Sequence, residues 1–497
     1  MRALLPTILL LLLLSGPAGA AADEAPRQFT AKREGTFGGQ KLRYQVISGD
    51  TILADDKGQP RAAIFSFAYI KDAPKTEQTT RPVLFVYNGG PGSASLWLHL
   101  GTFGPRRVKM ADPVHPPTTP PFALEDNPFS ILDAADIVLI DPVGTGFSRI
   151  LSAGKPEQFY GTEQDAKATV EFIESWTRAN NRWNAPKYLV GESYGTVRSA
   201  VVAKMLMGGP MSGNARLGAI TLNGIVLLGQ ALTLGSDGEA TYATNLASMA
   251  ATAWYHNKID RKGRSADEVA SEAARFAGDA YLKALFAGDR LDAAERARVA
   301  DTMAALIGIP AAEILNRNLR IEMGEFRSLL LKTESQEIGA YDSRYVYKGK
   351  PAGAADAVAD DPAMGQYTPS FIAGINQYLR DELGININAS YETIAFGAVN
   401  EKWAYTTPTS GRVQIATPVQ SLAAAMRRNE KLRLFVGTGL YDLVTTVGKA
   451  DYMIAHAGLP LDRVTAKTYP SGHMAYLGDD SAAKLASDLR SFINESK

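Results

Sequence analysis

Along the chain, short apolar runs alternate with longer stretches in which apolar residues return every three or four positions. Residues 83–87, 137–140, 188–190 and 432–436 are such runs, and 220–228 is a longer one. Continuous apolar runs of this length suit strands buried on both faces. Between them, residues 162–178 carry Val170, Ile173 and Trp176 among charges, and 196–207 has a similar helical pattern. Strands alternating with helices predict an α/β fold with a mostly parallel sheet covered on both sides. Ahead of this series, 42–47 and 62–70 flank a polar turn at Asp55, Asp56, Lys57 and Gly58, which predicts an antiparallel edge hairpin. Residues 21–37 are small, polar and charged and read as an exposed leader. Residues 71–81 read as a charged loop.

The pattern changes between residues 235 and 418, which are rich in Ala, Glu, Arg and Leu. Stretches 265–286, 293–307 and 323–331 read as amphipathic helices. Ser265 followed by Glu268, and Asp292 followed by Glu295, resemble helix-start signals. Residues 351–362 form a Gly/Ala/Asp-rich linker, and 367–383 resume a helical pattern. The sheet pattern then returns. The organisation predicted is a core formed by 21–234 and 419–497, interrupted by a helical cap over 235–418.

Composition narrows the setting. Lys+Arg and Asp+Glu balance at 52 each, which gives no electrostatic reason to expect a nucleic-acid or anionic-membrane partner. Arg2, the apolar run 8–14 and the small residues 15–20 have the layout of a secretory signal peptide over residues 1–20. The run is short for a membrane span, so secretion or export to a periplasm is expected, with an uncleaved anchor as the alternative. The chain has no Cys, which excludes disulfides, thiolate metal sites and a Cys nucleophile. His-Glu spacings typical of zinc sites are absent, so neither metal nor cofactor is predicted.

Candidate chemistry centres on Gly191-Glu192-Ser193-Tyr194-Gly195. An apolar strand precedes it and a helical pattern follows. A G-x-S-x-G sequence in that context places its serine on a sharp strand-to-helix elbow, as in the α/β-hydrolase fold. A serine hydroxyl needs a base to take its proton. His473, in Gly472-His473-Met474 after an apolar stretch, follows Ser193 in the order that this fold requires. His456 reads as part of a helix. The carboxylate that orients the base is expected at Asp442, just past the 432–436 run, whereas Asp451 falls within a helix. An oxyanion hole needs two N–H donors. Tyr194 supplies one, and the loop Asn88-Gly89-Gly90-Pro91-Gly92 after an early strand is suited to supply the other. Trp97 and His99 read as packing residues, with lining of the pocket as the alternative, and His115 reads as solvated.

Taken in order, Asn88–Gly92, Asp141-Pro142-Val143-Gly144-Thr145-Gly146-Phe147-Ser148, Gly191–Gly195, the Asp442 loop and Gly472-His473-Met474 resemble the serine carboxypeptidase family. The resemblance spans most of the chain and includes a helical cap. It implies removal of the C-terminal residue of a peptide through an acyl-enzyme on Ser193, with His473 as base and Asp442 as its orienter. It also implies an oxyanion hole from the Gly90 and Tyr194 N–H groups. Asn88, the Gly89 N–H and Glu192 would hold the substrate's terminal carboxylate. Glu192 can donate to a carboxylate only when protonated. The segment 141–148 is expected to support the site without taking part.

Three positions depart from the family pattern. Thr102 stands where members commonly carry a Glu that partners the position of Glu192. Val86 replaces the usual aromatic residue, and Ser93 the usual Cys. Without disulfides, the chain resembles a bacterial-type branch. Expected partners are peptides with a free C-terminus, with neither nucleic acid nor stable membrane insertion. The resemblance leaves a homodimer open. An esterase or acyltransferase would use the same triad, an aminopeptidase would read the substrate's amine instead, and a non-catalytic binding protein is the reading from another class.

Overall fold

The computed structural model describes residues 25–110, 112–208, 220–233, 238–348, 358, 360–405 and 417–496. The signal segment 1–20, most of the 351–362 linker and the cap boundary at residue 235 lie outside them.

The strands of the main sheet are β1 (Gln28–Phe37), β2 (Gln40–Ala54), β3 (Pro60–Lys71), β4 (Val83–Tyr87), β5 (Asp136–Ile140), β6 (Lys187–Glu192), β7 (Gly224–Leu228), β8 (Arg433–Gly439) and β9 (Val464–Tyr469). They lie in the order β1-β2-β3-β5-β4-β6-β7-β8-β9, and the short strand Arg149–Ile150 pairs beside β3. Pairing is antiparallel from β1 to β5 and parallel from β5 to β9. This is the mostly parallel α/β sheet that the apolar runs predict.

Every residue of β4, β5 and β7 is buried, because alternate side chains feed two separate cores. Leu84, Val86, Leu139, Val190 and Val226 face one core, with Leu485, Leu489 and Phe492 of the C-terminal helix. Phe85, Val138, Leu189 and Leu227 face the other, with Ile173, Trp176, Val197 and Val201. Full burial of each such side chain stabilises the fold by about 1.5–3 kcal/mol. Both sheet faces are therefore covered by helices. Those used below are α1 (Thr162–Ala179), α2 (Tyr194–Leu206), α3 (Ala240–Tyr255), α4 (Ala266–Phe276), α5 (Ala293–Ile307), α6 (Pro362–Gln377) and α7 (Asp479–Glu495).

Helices α3 to α6 fall in the stretch expected as an insertion. Leu246, Val269, Met303, Ile307 and Phe326 form a core separate from the sheet, whereas Met364, Phe371 and Ile375 of α6 join the main core. The two start signals act as expected. Ser265 accepts from Glu268 N–H, and Asp292 accepts from Ala294 and Glu295 N–H. The 265–286 stretch continues through a π-turn at Ala277–Tyr281 into Leu282–Ala287. The 367–383 pattern begins earlier than expected, at Pro362, because Asp361 caps α6 and Pro362 occupies its first turn.

Two further boundaries differ. Much of the expected leader is β1, paired with β2 over its whole length. Its polar outward side chains hide it, because an edge strand is held by backbone pairing and is often charged. Arg27 anchors its start through Nε to Asp50 Oδ2 (2.9 Å) and Nη2 to Asp50 Oδ1 (3.1 Å). The 220–228 run pairs only from Gly224, although Ile220 and Leu222 are buried.

The parallel register brings the carboxyl ends of the central strands level. Tyr87 lies opposite Gly191, Glu192 opposite Leu228, and Leu228 opposite Gly437. The loops that follow these ends carry the candidate residues, as is usual for a parallel α/β sheet. Residues 391–404 lie across the same loops through bridges Ser93–Ile394, Gly146–Glu392 and Gly161–Ala404.

Candidate active site

Ser193 sits between β6 and α2 with φ +56° and ψ −127°, a conformation that L-residues seldom adopt. Such a backbone costs on the order of 1–3 kcal/mol and persists only where its surroundings enforce it. Here the enforcement is visible. The Ser193 N–H donates to Leu228 O at 2.9 Å. A Cβ on Gly191 would lie 2.1 Å from Gly195 O, so only glycine lets the helix turn back so tightly. The turn delivers Ser193 to the mouth of α2, whose first N–H groups are free of helical partners.

His473 and Asp442 meet from separate loops, after β9 and β8. His473 Nδ1 lies 2.8 Å from Asp442 Oδ2. Asp442 Oδ1 accepts from the N–H groups of Val444 (2.8 Å) and Thr445 (2.9 Å), and the Thr445 hydroxyl donates to Oδ2. Asp442 is fully buried, which alone would raise its pKa. The His473 charge and these hydrogen bonds outweigh burial and hold it below the ordinary carboxylate range. An ionised Asp442 makes Nδ1 the protonated nitrogen and leaves Nε2 with its lone pair. His473 Nε2 is buried without a hydrogen-bond partner among the described residues. For His473, burial disfavours the cation, but Asp442 overcomes this and its pKa is raised.

One cleft is lined by Asn88, Gly89, Gly90, Glu192, Ser193 and His473, together with residues including Met364, Tyr367 and Phe396 from the stretch expected as a cap. Tyr194 begins α2 beside Ser193. Its hydroxyl bonds Thr162 and accepts from Trp403 Nε1, leaving the ring turned away from the cleft lining. A Cβ on Gly89 would lie 2.4 Å from Tyr194 N, so the glycine-rich loop runs against the start of α2. Asn88 Oδ1 accepts from Leu98 N–H at 3.1 Å, which turns the Asn88 amide N–H toward Glu192 Oε2. Tyr476 donates to the same Oε2 at 3.2 Å. Glu192 Oε1 has no hydrogen-bond partner among the described residues. Burial pushes the Glu192 carboxyl up to about 7, against the pull of His473.

The segment 141–148 acts as a brace. Asp141 accepts from Ser95 N–H (2.9 Å), the Ser95 hydroxyl (2.8 Å) and the Tyr391 hydroxyl (3.0 Å). It thus ties the loop beyond Gly92 to the 391–404 segment. Trp97 both packs and lines the cleft: it is buried in the main core, and it donates from Nε1 to Ser93 Oγ at 3.0 Å. His99 packs internally against Tyr69, and burial pushes it down to about 3. His115 is exposed beside Asp112, and His456 ends the helix Val447–His456.

Sequence reasoning missed Thr445 and Tyr476. Thr445 lies three residues past Asp442, where an Asx-type turn would have signalled it. Tyr476 lies three residues past His473, and only the fold shows that it turns back to Glu192.

The parallel sheet, its helical cover and the elbow at Ser193 define an α/β hydrolase. Within that class, the chain belongs to the serine carboxypeptidase family, whose model matches residues 61–479. Among solved structures it is similar to Kex1(delta)p, a prohormone-processing carboxypeptidase from Saccharomyces cerevisiae. The identity is 16%, with 91% of this chain and 92% of that chain covered and a TM-score of 0.57. It also matches a thermostable carboxyl esterase from Bacillus coagulans (12% identity, 90% of this chain and 97% of that one, TM-score 0.36). A proline iminopeptidase from Mycobacterium smegmatis matches at 11% identity, over 90% of this chain and 98% of that one, with a TM-score of 0.34. No curated protein matches the sequence.

Proposed function

We propose that this protein is an exopeptidase that releases C-terminal amino acids from peptides through an acyl-enzyme on Ser193. The observation that carries the reading is the Asn88–Glu192 pair in the cleft that Ser193 and His473 also line. A buried amide beside a carboxyl that burial keeps protonated toward neutral pH suits a carboxylate ligand. A hydrolase for neutral esters has no use for it.

In the proposed reaction the peptide's terminal carboxylate rests on Asn88, the Gly89 N–H and the Glu192 O–H. Ser193 Oγ attacks the last peptide carbonyl while His473 Nε2 takes its proton. Asp442 stabilises the imidazolium. The tetrahedral oxygen accepts hydrogen bonds from the Gly90 and Tyr194 N–H groups, which are fixed before the charge develops. His473 passes the proton to the leaving amine, and the C-terminal residue departs with its carboxylate. Water then enters, gives a proton to His473 and attacks the ester, and the proton returns to Ser193 as the shortened peptide leaves. The residues require no cofactor for this sequence. The apolar segment behind Arg2 supports export, and no helix among the described residues is long and apolar enough to cross a membrane.

The test is turnover of N-blocked dipeptides and their ester counterparts between about pH 4 and about pH 8. Release of the free C-terminal amino acid from the dipeptides is expected. Turnover of esters alone would assign the same site to an esterase or acyltransferase.

A further inference from the structure

Glu192 can hold a substrate carboxylate only if its proton is on the oxygen that meets the substrate. A carboxylic acid has two oxygens, so something must decide between them. Oε2 receives two donors from different loops: the Asn88 amide N–H and the Tyr476 hydroxyl. Asn88 offers no acceptor there, because its Oδ1 is engaged by Leu98 N–H. Oε1 has no partner among the described residues. Tyr476 itself is buried, and its ring rests where a Cβ on Gly101 would lie 2.2 Å from it. Gly101 adjoins Thr102, the position at which the expected carboxyl partner is missing. A bulkier residue 101 would displace the ring.

We propose that Tyr476 is a positioning residue that, with Asn88, occupies Glu192 Oε2 and so confines the acid proton to Oε1, the oxygen left for the substrate's carboxylate. The inference rests on the carboxypeptidase reading and deepens it. The phenol does the work left undone by Thr102, but with the opposite sense. A second carboxyl would share a proton with Glu192, whereas the Tyr476 hydroxyl donates to Oε2 and keeps its own proton at ordinary pH, its ionisation being strongly disfavoured by burial. The other polar groups facing Glu192 are His473 and Asp442, from the loops after β9 and β8, and Asn88 from the loop after β4. Tyr367 of α6 stands beyond Tyr476. Of these, the His473 charge, the Tyr476 hydrogen bond and the Asn88 hydrogen bond favour the Glu192 anion, and Asp442 opposes it.

The test is Tyr476→Phe, which removes the hydroxyl and keeps the ring over Gly101. KM is compared for an N-blocked dipeptide and for its C-terminal amide at about pH 5.5, where Glu192 is protonated. The wild-type preference for the free acid is expected to fall about tenfold, the worth of one hydrogen bond to a charged group. Over the same range, the alkaline limb for the dipeptide moves to higher pH, because a donor to the anion is gone. An unchanged preference and an unmoved limb overturn the proposal. If the wild type shows no preference for the acid, the carboxypeptidase reading fails, and Tyr476 is judged without substrate. Difference infrared titration of the Glu192 carboxyl, with Glu192→Gln as the blank, should then show a higher midpoint in Tyr476→Phe. An equal midpoint overturns the positioning role.

Discussion

Replacing Glu192 by Gln separates the proposed carboxylate site from the acyl-transfer machinery. The Gln carbonyl can take the place of Oε2, accepting from Asn88 and Tyr476, and its amide N–H then occupies the place of Oε1. That N–H donates at every pH, whereas Glu192 donates only when protonated. With its carboxyl pushed up to about 7, about ten molecules in eleven keep the proton at pH 6, and about one in eleven at pH 8. Wild-type kcat/KM for an N-blocked dipeptide should therefore fall about tenfold from pH 6 to pH 8 through this group alone. The sign runs opposite for His473, which must be neutral to act as base. Its raised pKa removes activity as pH falls. The two groups face each other, so the midpoints belong to the pair. In Glu192→Gln the alkaline limb should vanish, and the acidic limb should move lower, because the anion that helps to hold the His473 proton is gone. The assay is initial-rate release of the C-terminal amino acid across the range, beside an ester without a free carboxylate. A dipeptide limb that survives in the variant at its wild-type midpoint would refute the argument.

Two other changes probe the reacting centre. Ser193→Ala should lower kcat by about 10⁴–10⁶-fold, with circular dichroism unchanged, and near-normal turnover in a purified variant would remove Ser193 from the chemistry. Gly89→Ala would set a Cβ 2.4 Å from Tyr194 N and 2.7 Å from Glu192 O, both backbone atoms that cannot step aside. The loop and the start of α2 must part, so kcat should drop about 100-fold or more as the proposed oxyanion donors move out of line. A variant that folds and keeps its rate would show that this close approach is not needed.

The core of the fold was legible because its strands are buried on both faces, and a short uninterrupted apolar run such as 83–87, bounded by polar and turn-forming residues, suits such a strand. Strand β1 was not, since its polar side chains face outward and its partner is a backbone. The candidate site was readable where a motif combines backbone shape with a reactive side chain, as at Ser193. Asp442 and His473 followed from chain order, and the structure brings them within hydrogen-bonding distance. What lines the remainder of the cleft was hidden. Met364, Tyr367 and Phe396 come from the stretch expected as an insertion, whose helical periodicity reports burial without saying against what. Tyr476 shows the limit most clearly. Thr102 signalled that Glu192 lacked its expected partner, but no local pattern could reveal that a residue 284 positions later donates to its carboxyl.

Exopeptidase cleavage from the carboxyl end is tested by mass spectrometry of an N-acetylated peptide during digestion. Successive loss of single residues from the C-terminus is expected, with strong slowing when that terminus is amidated and no cleavage by Ser193→Ala. Loss of residues from an unblocked N-terminus, internal cleavage, or equal rates on the acid and the amide would contradict it.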